Sequence, residues 1–176
     1  MPVQRLNHIV LYVRNARTTA DFYRDVLGFR VITELGGGKA IFLQAPDSTN
    51  DHDLGLFEVG AAAGDSPAGR GTVGMYHMAW EVDTLGELER IGKLLTDRGS
   101  LVGASDHGTT KALYAHDPDG LEFEVQWLLP LDRITDADRT TGGGRPKPLD
   151  LAREQARFGA NLLGGVGVSR PTPSAV

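Results

Sequence analysis

Two eight-residue segments constrain the chain most. Leu6-Asn7-His8-Ile9-Val10-Leu11-Tyr12-Val13 and Met75-Tyr76-His77-Met78-Ala79-Trp80-Glu81-Val82 are both rich in strand-forming residues. Both carry His in third place, and they lie 69 residues apart. Such a pair implies a duplicated supersecondary unit. Each segment is followed by a helix signal. In the first half Thr18-Thr19-Ala20-Asp21 offers a cap, Phe22, Tyr23, Val26 and Leu27 supply apolar side chains, and Gly28 a stop. In the second half Thr84-Leu85-Gly86-Glu87 reads as a capping box, Leu85, Leu88, Ile91 and Leu95 form the stripe, and Gly99 ends it. Three strands are expected after each helix: Phe29–Leu35, Lys39–Gln44 and Asp53–Val59, then Leu101–Ala104, Ala112–Ala115 and Leu121–Leu128. Each half therefore reads β-α-β-β-β. One such half leaves a sheet face uncovered, so an α+β fold is expected in which two halves pair around a shared cavity.

These modules, about residues 4–60 and 72–129, make one domain over residues 1–130, with Ala61–Gly74 as the connection. Residues 131–176 form a C-terminal extension. Thr140–Pro146 reads as loop, Pro148–Gly159 as a short helix, and Ser169–Val176 as disordered, so the extension is expected to be partly disordered. A chain of 176 residues suits one domain with a sizeable core. A formal net charge of −5 and no Lys/Arg cluster argue against nucleic acid and anionic membrane as partners. The absence of Cys removes disulfide frameworks, thiolate zinc sites and cysteine nucleophiles. MPVQRLNHIV has no charged head followed by a long apolar stretch, and no run reaches membrane-spanning length, so a cytoplasmic protein is expected.

The repeat also points to chemistry. Side chains alternate faces along a strand, which puts Leu121, Phe123, Val125 and Trp127 on one face and Glu122, Glu124 and Gln126 on the other. A His in a strand is more often a hydrogen-bonded residue than a ligand, and a lone Glu is more often solvated. Histidines at matching places of a repeat face each other across the cavity, however. A carboxylate facing two imidazoles there needs a cation or a proton, and a bound metal satisfies all three groups. Two imidazoles and one carboxylate can hold Fe(II) on one face and leave the opposite positions open. His8, His77 and Glu124 are the expected ligands, with Glu122 as the fallback carboxylate.

From Leu6 to about Leu128 the chain resembles the vicinal oxygen chelate superfamily (glyoxalase, bleomycin resistance, extradiol dioxygenase). Within it, the chain is most similar to small catechol 2,3-dioxygenase-type extradiol dioxygenases. The shared pattern is the first-strand His8, the second-module His77, and Glu124 four residues after the Gly of Asp117-Pro118-Asp119-Gly120. More specific are His52-Asp53-Leu54-Gly55-Leu56-Phe57, the pair His107-Gly108, and Tyr114 ten residues before Glu124. The resemblance implies a cup-shaped mixed sheet around the metal, with His8, His77 and Glu124 holding Fe(II); the same donors suit Mn(II). It implies a small aromatic diol and O₂ as reactants, ring opening beside the diol, and a homodimer. His52 would stand beside O₂, Tyr114 would hydrogen-bond a substrate oxygen, and His107 would position or deprotonate the catechol hydroxyl. Met75, Leu54 and Leu113 are expected to line an apolar ring site. Pro148-Leu149-Asp150-Leu151 also resembles a segment that follows the barrel in small members. Leu121 replaces the usual Asn after the turn, and the loop before His77 is long for the family. His116 shares the parity of Tyr114 and is assigned no role.

Three other readings compete with this one. A glyoxalase-like metal-dependent isomerase or lyase normally takes a fourth protein ligand from the last strand of the first half, where Gly55 or Phe57 stands. Fosfomycin-type thiol transferases share the His-His-Glu set without a reason to carry His52, His107 and Tyr114. A metal-free, bleomycin-type binding protein needs an aromatic cleft and no ligands.

Overall fold

A computed structural model of the chain describes residues 2–3, 5–141 and 145–165. The chain divides into two compact units, Met1–Gly74 with Asp117–Leu121, and Met75–His116 with Glu122–Val176. The first unit runs β1 (Ile9–Val13), α1 (Ala16–Leu27), β2 (Arg30–Leu35), β3 (Ala40–Gln44) and β4 (Leu54–Glu58). Its sheet has the order β1-β4-β3-β2, with β1 parallel to β4 and the other neighbours antiparallel. The second unit repeats this with β5 (Met78–Glu81), α2 (Leu85–Asp97), β6 (Leu101–Asp106), β7 (Thr110–His116) and β8 (Glu122–Leu128). Here β5 is parallel to β8, and the mixed sheet continues β8-β7-β6. The βαβββ unit read from the sequence is thus present twice.

In each unit the helix covers one sheet face. Helix α1 starts earlier than Thr18, because Asn15, in extended backbone, accepts the Thr18 N–H at 2.8 Å. Thr19 then falls inside the first turns, its hydroxyl bonding back to the Asn15 carbonyl. Gly28 ends the helix at φ 76°, a left-handed conformation that favours glycine. Ala16, Ala20, Tyr23 and Val26 are buried, and α1 packs on β3 and β4. Helix α2 starts at Thr84, whose hydroxyl accepts the Glu87 N–H at 3.2 Å. The Glu87 carboxylate pairs with Arg90. The buried stripe Leu85, Leu88, Ile91 and Leu95 holds α2 down. Each such side chain contributes roughly 1.5–3 kcal/mol, and Leu88→Ala alone would cost about 2–5 kcal/mol.

The strand alternation in β8 is as read from the sequence: Phe123, Val125 and Trp127 are buried on the helix side. Strands β1 and β5 are shorter than expected, so His8 and His77 each stand one residue before a strand. Past β8 come a 3₁₀ turn (Leu131–Arg133), α3 (Asp136–Thr141), β9 (Lys147–Pro148) and α4 (Leu151–Phe158). Strand β9 was not anticipated; it pairs antiparallel with the edge of β6, a place where proline is tolerated. Helix α4 lies within the span where the sequence predicts one. The expected disorder of Ser169–Val176 falls outside the described residues. No helix among the described residues is long and apolar enough to cross a membrane.

Candidate active site

In the first unit the backbone N–H of Ile9 donates to the Asp53 carbonyl at 2.9 Å, which sets His8 beside the start of β4. His8 Nδ1 lies 2.8 Å from Asn7 Oδ1. Asn7 Nδ2 donates to Asn50 Oδ1, and Asn50 Nδ2 donates to the Asn7 carbonyl and to Asp53 Oδ1, both at 2.7 Å. Asp53 is fixed in turn by the Ser48 hydroxyl and the Ala45 N–H. With the Asn7 side-chain amide oxygen facing it, Nδ1 carries the proton and the Nε2 lone pair is left for a ligand role. The His52 ring lies 4.4 Å from that of His8, centroid to centroid, and meets Phe42 edge-on at 5.1 Å. Sequence reading missed Asn7, Asn50 and Phe42. An amide side chain next to a proposed His ligand was the available signal.

In the second unit His77 Nε2 lies 3.1 Å from Glu124 Oε2. Tyr114 and Glu124 are directly paired across β7 and β8, so their side chains share a face. The Tyr114 hydroxyl donates to Glu124 Oε1 at 3.3 Å, and His107 Nε2 lies 3.0 Å from the same hydroxyl. Tyr114 has one proton to give, so His107 donates to it. Burial, then the charge of Glu124, pushes the Tyr114 hydroxyl up to about 12, which keeps it a donor. The turn carrying His107 closes through His107 N–H to the Thr110 carbonyl at 2.9 Å, with Gly108 at φ 83°. His116 is exposed and stands 3.8 Å from Glu122.

The register answers which residue of the first half matches Glu124. Val10 pairs with Gly55 and Ala79 pairs with Glu124, in the same parallel arrangement. Ala79 is the counterpart of Val10 at the 69-residue offset. Gly55, rather than Phe57, therefore occupies the place of Glu124. A Cβ there would lie 3.3 Å from Val10 Cγ2 and 3.5 Å from Phe42 Cδ1.

The expected ring-site lining needs correction. Leu54 and Leu113 are buried on the helix faces of their sheets; Leu113 lies against Gly92 of α2. Both have the opposite strand parity to the site residues, and Val10, Phe42 and Phe57 replace them on the first sheet's other face. A groove in the second unit, lined by Gly92, Thr96, Leu101, Leu113 and Leu151 among others, holds none of the candidate site residues.

The donor set suits a divalent cation. Two donors about 2.1 Å from one ion and at right angles stand about 3 Å apart, and His77 Nε2 and Glu124 Oε2 match that spacing. His77 Nδ1 is buried without a hydrogen-bond partner, Glu122 being 3.8 Å away. Among the described residues no three His, Asp or Glu side chains form a group that could hold a metal on their own.

Residues 5–125 match the family described as Glyoxalase/Bleomycin resistance protein/Dioxygenase superfamily. Among curated relatives, biphenyl-2,3-diol 1,2-dioxygenase 2 of Rhodococcus globerulus is 31% identical over 176 residues, 96% of this chain and 86% of that one. Biphenyl-2,3-diol 1,2-dioxygenase 3 of the same organism is 35% identical over 124 residues, 69% of this chain and 62% of the relative, so the match spans less than two thirds of that protein. Lactoylglutathione lyase of Neisseria meningitidis is 28% identical over 133 residues, 68% of this chain and 88% of the enzyme. Among solved structures, a glyoxylase/bleomycin resistance protein/dioxygenase domain from Frankia sp. EAN1pec superposes with TM-score 0.60. It is 16% identical and covers 71% of this chain and 92% of that one, a likeness of fold.

Proposed function

The chain belongs to the glyoxalase/bleomycin resistance protein/dioxygenase superfamily, and from that membership we propose that it is an extradiol dioxygenase that opens a catechol-type ring beside the diol. One observation carries this choice within the family. The sheet register gives Glu124 a glycine counterpart, Gly55, so the repeat offers one carboxylate and not two. Two imidazoles and one carboxylate leave more open positions than the four-ligand set of a metal-dependent isomerase, and diol and O₂ both need such positions. The names of the dioxygenase relatives support the same substrate class.

In this reading His8, His77 and Glu124 hold Fe(II) or Mn(II). The bound cation would supply a common point that orients diol and O₂ and lets electron density pass between them. The remaining work belongs to side chains. The Asn7–Asn50–Asp53 network holds the His8 tautomer with Nε2 free. Tyr114, kept protonated, can turn its hydrogen bond from Glu124 to a diol oxygen, while His107 fixes the same hydroxyl from the other side. His52, packed between the His8 and Phe42 rings, is the group that delivers a proton as O₂ is cleaved. Phe42, Phe57 and Val10 give the apolar surface that an aromatic ring requires.

The test is anaerobic loading with Fe(II), followed by biphenyl-2,3-diol or catechol and air. A yellow ring-opened product is expected. Turnover of a methylglyoxal–glutathione adduct with no yellow product from either diol would replace this reading with the isomerase.

A further inference from the structure

Beneath the second sheet, on the face opposite Tyr114, lies a group of charges that the proposed reaction does not use. Lys111 is almost completely buried, with its Nζ 2.5 Å from Asp106 Oδ1 and 3.1 Å from Glu154 Oε2. Asp106 and Glu154 are equally buried. Arg153, itself exposed, closes the group with Nη2 at 2.9 Å from Glu154 Oε1 and 3.4 Å from Asp106 Oδ2. Two cations meet two anions, so the cluster is balanced. A buried ion group of this kind adds little stability over an apolar packing of the same volume, but it demands one geometry.

That geometry reaches the candidate active site. Asp106 is the last residue of β6, and its Oδ1 also accepts the Gly108 N–H at 2.8 Å. The same oxygen thus serves Lys111 and the turn that presents His107 to Tyr114. Glu154 lies on α4, which the chain brings here through β9 on the edge of β6 and starts with Asp150 capping Arg153 N–H at 3.0 Å. Without the Glu154 carboxylate, a buried ammonium would face Asp106 as its one close anion and draw that carboxylate away from Gly108.

We propose that Glu154 on the C-terminal helix is a positioning residue for His107, acting through Lys111 and Asp106 on the Gly108 turn. The extension is then part of the site's construction. The inference rests on the proposed dioxygenase reading only for the role of His107 in turnover; the placement of the turn stands apart from it.

The experiment uses the full chain and begins without metal. In Glu154→Gln, the imidazole resonances of His107 should move and Gly108 amide exchange should quicken about tenfold or more, while the His8 and His52 resonances stay in place. Unmoved His107 signals with unchanged Gly108 exchange would overturn the proposal. Where Glu154→Gln lowers the melting temperature, the double variant Glu154→Leu/Lys111→Met removes both charges together. With no ammonium left to draw Asp106 away, the proposal expects both the melting temperature and the slow Gly108 exchange to recover; exchange that stays fast without Lys111 would overturn it. With iron loaded, Glu154→Gln should lower kcat about tenfold with little change in KM, and by less than about twofold in a His107→Ala background. Equal losses in both backgrounds would also overturn it. Full turnover by His107→Ala alone would count against the dioxygenase reading, and the metal-free spectra would still decide the positioning.

Discussion

In the first module the strand partner of Val10 is Gly55; in the second, the partner of the equivalent Ala79 is Glu124. The two modules otherwise share element order, the parallel pairing of first and last strands, an N-capped helix and a left-handed glycine after it. Duplication supplies the geometry twice, while a carboxylate stands at this register position once. The first module carries His8 and His52 beside the Phe42 ring, and the second carries His77, Glu124, Tyr114 and His107 in a chain of close polar contacts. Their additional segments differ too. The second carries the extension through β9 and α4, and the first holds the Asp117–Leu121 turn, where Asp119 accepts from the Arg14 backbone and guanidinium.

Exchanging the acidic position is the most forceful way to break this asymmetry. Glu124→Gly would make the second module like the first and is expected to lower turnover by about a thousandfold or more, with loss of bound iron. Gly55→Glu would make the first like the second. Its Cβ needs Val10 to give by a few tenths of an ångström, and under the proposed ligand set its carboxylate would fill an open position. Iron should be retained and ring cleavage should fall about a hundredfold. Metal analysis alongside rate measurement separates the two outcomes; a Gly55→Glu variant with wild-type turnover would remove the significance of the register.

Tyr114→Phe tests the second module's hydrogen-bond chain. Turnover should drop roughly ten- to a hundredfold with iron content unchanged. The folded-state proton affinity of Tyr114 is raised above its ordinary value, so its contribution to stability is complete below pH 10 and is lost as pH rises toward about 12. Across that window the unfolding midpoint in urea should fall more steeply for the wild type than for Tyr114→Phe. Parallel curves would show that the hydroxyl is not held as described.

The smallest effect sharpens the likeness rather than the difference. Gly28 is the left-handed C-cap of α1 at φ 76°, and Gly99 follows Arg98, the C-cap of α2, at φ 66°. Gly28→Ala and Gly99→Ala should each cost about 1–2 kcal/mol in urea unfolding, and by similar amounts. A cost at one site only would mean that the left-handed backbone does not require glycine at both.

The duplication is legible in the sequence because it rests on local signals: a His in a β-rich octet, a cap, an apolar stripe and a stopping glycine. The parity of β8 is legible for the same reason, and it places Glu124 and Phe123 on opposite faces. What depends on partners far along the chain is not. Choosing Gly55 over Phe57 requires the β1–β4 register, and Leu54 and Leu113 were misassigned for want of the helix that each sheet face meets. Lys111, Asp106 and Glu154 carry no shared motif, and the last two are brought together across 48 residues of chain. Strand β9 is two residues with a proline, which no propensity would mark as a strand.

The proposed function requires His8, His77 and Glu124 to act on one cation. Anaerobic calorimetric titration of the full chain with Fe(II), set beside His8→Ala, His77→Ala and Glu124→Ala, tests it most directly. The account predicts one tight site in the wild type and at least about a hundredfold weaker binding in every one of the three variants. Wild-type affinity in any of them would contradict it.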